Sequence, residues 1–145
     1  MIYTIGYQHI TPTELARIMK LVGATKLIDC RYRPQSRIQG FNRNQLADKF
    51  GDQYITAGER LGGMGHTSAA GLAWLAGLEK QNPMIMCLEA APGDCHRHSA
   101  IAVPLFKKHK VDCTHIYEDT LVMASELDAA ITEERDYEYT DIVGF

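Results

Sequence analysis

Apolar and polar positions follow two rhythms along this chain. Ile2 to Ile5 is a short apolar run ended by Gly6, the pattern of a buried strand. Thr11-Pro12-Thr13-Glu14 has the make-up of a helix start, with a hydroxyl to cap, a proline for the first turn and an acid at the positive end of the dipole. Leu15, Ile18, Met19 and Val22 follow at helical spacing until Gly23 stops them. Lys26 to Cys30 reads as a second strand, Arg31 to Gly40 as a loop, Asn42 to Phe50 as a short helix capped by Asn42, and Tyr54-Ile55 as a weak third strand. Thr67 or Ser68 caps a helix running to about Gln81, which Asn82-Pro83 closes. Met84 to Leu88 is the most strand-like run in the chain. The loop Glu89 to Asp94 leads to a helix from about Cys95 to Lys108, then a strand from Val111 to Tyr117 and an acidic helix from Leu121 to about Arg135.

Strands and helices alternating at this spacing predict parallel βαβ units. The expected fold class is α/β, a single three-layer domain over residues 1–145 with a mostly parallel sheet of about five strands. The acidic segment from about residue 121 is expected as an appended helix and tail. A chain of 145 residues has room for one core and is too short for an eight-fold β/α barrel. Its 46% hydrophobic and 23% charged residues exclude a disordered tail and a disulfide-dense miniprotein. No apolar run approaches the length of a membrane span, and the N-terminus lacks a basic leader, so a cytoplasmic protein without a membrane partner is expected.

The net charge of −3 hides an uneven distribution. Residues 1–72 hold nine Lys/Arg against five Asp/Glu, and residues 73–145 hold six against thirteen. Arg31, Arg33, Arg37 and Arg43 fall in a window without any acid. A local basic patch on an acidic chain suits a discrete partner, a small anionic ligand or a nucleic-acid end, better than a long DNA track.

In open parallel sheets ligands collect beyond the carboxyl ends of the strands. Those ends carry Gly6-Tyr7-Gln8-His9, Asp29-Cys30-Arg31-Tyr32-Arg33, the glycine loop Leu61 to Gly65, and Cys87-Leu88-Glu89. Cys95 stands at an expected helix start with His96 and Arg97 beside it, and both features favour a thiolate. Cys95 is therefore the candidate nucleophile, with His96 beside it and Glu89 as the group that moves a proton. Arg31, Arg33, Arg37 and Arg97 are candidate ligand-binding residues, joined by Tyr7, Gly62 and Gly63. Arg33, Arg37 and Arg97 are expected to converge at the carboxyl rim. Blander readings stand beside these: a solvated loop arginine, Cys87 and Cys113 as buried thiols, and Asp29 paired with Arg31.

Five short stretches stand in order along the chain. They are Thr4-Ile5-Gly6-Tyr7, Leu27-Ile28-Asp29-Cys30-Arg31 with Pro34 and Ser36-Arg37, Leu61-Gly62-Gly63, Cys87-Leu88-Glu89 and Cys95-His96-Arg97. Together they resemble the "domain of unknown function 488" family, over about two thirds of the chain. The resemblance implies a compact α/β fold of bacteria, archaea and their viruses, and brings no settled activity. Such proteins commonly have Asp-Val-Arg where this chain has Asp29-Cys30-Arg31, so Cys30 is not taken as a site residue.

Four cysteines without an export signal are expected as free, metal-bound or catalytic thiols. Cys87, Cys95, His96 and His98 offer soft ligands, with His9 on another loop. Their spacing is not that of a zinc motif, and no metal site is assigned from it. No cofactor follows from the sequence either. The phosphatase loop, the nucleophile elbow and the P-loop all fail on spacing. Two functions remain: a protein that binds an anionic, nucleotide-type ligand at the rim and acts on it through Cys95 and Glu89, or one that sequesters or senses a phosphorylated nucleotide without turnover.

Overall fold

A computed structural model describes residues 1–62, 67–92, 95–117 and 120–124. Six strands, β1 (Ile2–Gly6), β2 (Lys26–Asp29), β3 (Tyr54–Thr56), β4 (Pro83–Cys87), β5 (Cys113–Tyr117) and β6 (Thr120–Met123), form one sheet in the order β3-β2-β4-β1-β5-β6. β1 to β5 are mutually parallel, and β6 returns antiparallel along β5. The α/β expectation holds. The acidic helix expected from Leu121 is corrected at its start, because Thr120 to Met123 pairs in register with Thr114 to Tyr117 as an edge strand. The remainder of that helix lies outside the described residues.

Among the described residues the α-helices are α1 (Pro12–Val22), α2 (Arg43–Phe50), α3 (Ala69–Gly77) and α4 (Val103–His109). Thr11 Oγ1 accepts from the Glu14 N–H at 3.1 Å, and Gly23 ends α1 at a φ of 73°. Ser68 caps α3 by accepting from the Gly71 N–H at 2.9 Å. α4 is shorter than expected, because the segment before it, Arg97–Ala102, is a π-helical turn.

Side chains leave successive strand residues on opposite faces, and the two faces carry different helices. Ile28, Cys30, Ile85 and Cys87 pack with Leu72 and Leu75 of α3 and Leu105 of α4. Leu27, Met84, Met86 and Ile116 pack with Leu15 and Met19 of α1 and Leu46 and Phe50 of α2. This is the three-layer arrangement. The connections leaving β1 and β2 cover the α1/α2 face, while the one leaving β4 covers the α3/α4 face. The carboxyl end of β4 is therefore flanked on both sides by points where the winding reverses, the positions where such sheets open crevices.

Pairing of β1 with β4 continues past the strand ends. The Tyr7 N–H donates to the Cys87 carbonyl at 3.0 Å, and the Gln8 N–H to the Leu88 carbonyl at 2.9 Å. A side chain at Gly6 would put its Cβ 1.7 Å from the Glu89 carbonyl oxygen, so only glycine lets the β4 loop lie this close.

Candidate functional site

The rim carries two polar clusters, one on each face of the sheet. Asp29 and Arg31 stand two residues apart, a spacing that keeps both on the α1/α2 side. Arg31 grips the buried Asp29 carboxylate with both arms of its fork, Nε to Oδ1 at 2.8 Å and Nη2 to Oδ2 at 2.6 Å. Tyr54 donates its hydroxyl to Oδ2 at 2.5 Å. Arg31 Nη1 donates to the Tyr7 hydroxyl at 3.0 Å, and the Tyr7 ring stacks on Phe41 with centroids 4.4 Å apart. Burial acts to lower the Arg31 pKa, but the hydrogen bonds and charge of Asp29 outweigh it and raise the value. Burial also raises the Tyr54 phenol, with Asp29 adding to the effect. Arg31 and Tyr7, candidate ligand-binding residues, make a clamp that fixes the end of β2. Asp29 has the role its plainer reading gave it.

The cluster on the α3/α4 side holds three cysteine sulfurs, an arginine and three histidines. Cys30, Cys87 and Cys95 are 0%, 2% and 4% exposed. The Cys87 and Cys95 sulfurs are at bonding distance, 2.22 Å, forming a disulfide where free, metal-bound or catalytic thiols were expected. Cys95 as an open nucleophile is therefore corrected: its sulfur is buried and joined to Cys87. The Cys30 thiol donates to the Met86 carbonyl at 3.2 Å and is pushed up to about 12, first by burial and then by the Asp29 charge. A ring nitrogen of His96 and the sulfurs of Cys30 and Cys87 all lie within 4.8 Å of one another, as do the sulfurs of Cys87 and Cys95 and a Glu89 carboxylate oxygen. Glu89 Oε2 is 3.8 Å from Cys87 Sγ, and His96 Nδ1 is 3.9 Å from Cys95 Sγ. His96 Nε2 is buried without a hydrogen-bond partner among the described residues. Burial lowers the His96 pKa, with Glu89 opposing and Arg97 adding to the shift.

Arg97 organises this cluster. It is 0% exposed. Its Nη1 donates to Cys87 Sγ at 3.4 Å and to the Glu89 carbonyl, its Nη2 to the Ala90 carbonyl at 2.8 Å, and its Nε to Thr4 Oγ1 at 3.1 Å. Its backbone N–H points at Cys95 Sγ at 3.4 Å. Thr4 Oγ1 is 2.5 Å from His115 Nδ1, and His115 Nε2 is 3.0 Å from His98 Nδ1. Because Thr4 accepts from Arg97, its own hydrogen goes to His115 Nδ1. His115 then carries its proton on Nε2 and donates to His98. Burial, with the charge of Arg97 and then His98, lowers the His115 pKa from 6.5 to about 2.

The expected convergence of Arg33, Arg37 and Arg97 is not what the fold builds. Arg97 is buried on the α3/α4 face and bonded to protein atoms, whereas Arg33 and Arg37 are exposed on the loop between β2 and α2. Gly62 is buried in a turn at a φ of 78°; Gly63 lies outside the described residues, as do Met64, Gly65 and His66 of the same loop. His9 lines a small cavity of about 160 Å³ with Ile5, Ile18 and Ile116, on the α1/α2 face.

Two basic clefts were only half anticipated. One, of about 360 Å³, opens beyond β2 and β3 and is lined by Arg31, Tyr32, Arg43, Gly58, Glu59 and Arg60 among others. The second, about 740 Å³ and wide open, is lined by Ser36, Arg37, Asn42 and Arg43, and shares Pro34 and Arg43 with the first. Arg60 lies 4.5 Å over the ring of Trp74, the only tryptophan in the chain. Neither lining includes Arg33. Arg60 gave no signal in the sequence, because an arginine beside Glu59 looks like any solvated pair.

Among the described residues no helix is long and apolar enough to cross a membrane. Compared with family models, curated proteins and solved structures, the chain matches none.

Proposed function

We propose that this chain binds a phosphate-bearing, nucleotide-type ligand in the paired clefts at the carboxyl rim, and that it binds without turnover. One observation carries the reading: Arg43 belongs to both clefts, with Arg37 on one side and Arg60 on the other, so exposed guanidinium groups line one continuous depression. Such forks match phosphate geometry and give charge-assisted bonds. Tyr32, 48% exposed in the smaller cleft, offers a ring on which a base can stack. Cys95 and Glu89 line neither cleft, which favours binding over catalysis through them. The order of motifs from Thr4 to Arg97 supports kinship with the domain of unknown function 488 family, and the reading expects a cytoplasmic protein.

Trp74 gives the test an internal reporter, since a phosphate that draws Arg60 away alters its fluorescence. Inorganic phosphate, a nucleoside and the matching nucleoside 5′-monophosphate are titrated against the protein. The monophosphate should bind more tightly than either part alone. Arg43→Gln and Arg60→Gln should each weaken it about ten-fold, the loss of one charge-assisted bond. No response to any of the three by fluorescence or calorimetry would refute the reading.

A further inference from the structure

We propose that Cys30, Cys87, Cys95 and His96 form a zinc site in the reduced protein. The sulfurs of Cys30 and Cys87 and a ring nitrogen of His96 lie within 4.8 Å of one another, and Cys95 Sγ adjoins both Cys87 Sγ and His96 Nδ1. A tetrahedral zinc ion with three sulfurs and one nitrogen sets its ligand atoms roughly 3.5–4 Å apart. The Cys30, Cys87 and His96 atoms supply three corners of such a shell, and Cys95 Sγ, once parted from Cys87 Sγ by reduction, supplies the fourth. His96 Nε2, buried and without a hydrogen-bond partner among the described residues, is the kind of atom an ion satisfies.

Two further features suit a metal. An ion between two sulfurs lengthens their bridge by roughly 1.5–2 Å relative to a disulfide, and the Cα atoms of Cys87 and Cys95 are 7.5 Å apart. Three thiolates, one imidazole and one Zn²⁺ carry a net charge of −1. The Arg97 guanidinium donates to Cys87 Sγ and its backbone N–H to Cys95 Sγ, both at 3.4 Å. Such N–H···S contacts hold thiolate ligands in place. Burial of all three cysteines makes this a closed, structural type of site. Soft sulfur ligands with an imidazole favour zinc over the oxygen-seeking divalent ions.

The disulfide and the metal exclude one another. A dithiol reductant delivers two electrons and two protons to the Cys87–Cys95 bond and is itself oxidised to a disulfide. Zinc then binds the three sulfurs and His96, releasing three thiol protons to solvent. The reading is independent of ligand binding in the clefts, whose linings include none of these four residues.

The test uses the full chain, reduced by a dithiol, stripped with a chelator and titrated anaerobically with Co²⁺ and then Zn²⁺. One Co²⁺ per chain should give the visible bands of a tetrahedral ion together with thiolate-to-cobalt charge transfer. Zn²⁺ should displace it. Cys30→Ser and His96→Gln should each weaken binding at least about 100-fold, beyond the usual effect of a residue that only supports a ligand. Cys113→Ser, which alters the other free cysteine on this face, should leave affinity unchanged. His96 is only partly buried, so its variant serves if Cys30→Ser does not fold. Absence of stoichiometric binding, a six-coordinate cobalt spectrum, or unaltered affinity in His96→Gln would overturn the proposal. None of these outcomes touches the titration of Trp74.

Discussion

His115 lies on β5 with 0% exposure, accepting from Thr4 and donating to His98, and burial near Arg97 holds it neutral. The perturbation is acid. In the unfolded chain this imidazole takes up a proton near its ordinary value of 6.5, while in the folded chain it does so only near about 2. Between those values the unfolded state binds the extra proton, so stability falls as the pH falls. Above 6.5 the contribution is fully present. Between about pH 7.5 and about pH 5 the loss assigned to this one group is about 2 kcal/mol. Urea unfolding followed by circular dichroism at the two pH values measures the total, to which other groups contribute. His115→Gln isolates the term, because glutamine keeps an acceptor and a donor but does not titrate. The variant should be less stable at the higher pH, and its loss on acidification should be smaller than the parent's by about 2 kcal/mol. Equal losses in the two proteins would refute a buried neutral His115.

Asp29→Asn leaves the Arg31 guanidinium without its carboxylate, and urea unfolding should record a loss of about 3–5 kcal/mol, the usual effect of breaking a buried pair. Iodoacetamide should leave Cys87 and Cys95 unmodified in the native, unreduced protein. After a dithiol, peptide mass spectrometry should find Cys95 modified before Cys113, whose thiol burial pushes up to about 12. Modification of Cys113 first would remove the advantage assigned to Cys95.

Parallel strands buried on both faces read as nearly continuous apolar runs, and Pro83 to Cys87 is such a run, so the centre of the sheet was legible. Helix ends were legible where a cap is local, as at Thr11 and Gly23. The edge strand β6 was not, because four residues facing one neighbour make no periodic pattern. The arginines divide in the same way. Arg97 looks like a phosphate fork until the fold supplies the carbonyls of Glu89 and Ala90 and the hydroxyl of Thr4, from residues 7 to 93 positions away. The resemblance set Cys30 aside, yet the β2–β4 pairing brings it beside Cys87 from far along the chain. Spacing along one loop cannot contain a ligand supplied by another strand.

The π-helical turn at Arg97–Ala102 makes chain length matter at this point. The Val103 N–H reaches back to the His98 carbonyl, one residue further than in an α-helix. Deleting the exposed Ser99 lets the segment close as a regular helix continuous with α4. Each residue advances a helix by about 100°, so the deletion swings Arg97 and His98 away from Thr4 and His115 while α4 keeps its seat on the sheet. A gap of one residue here separates a chain that has the sulfur cluster from one that has only the scaffold.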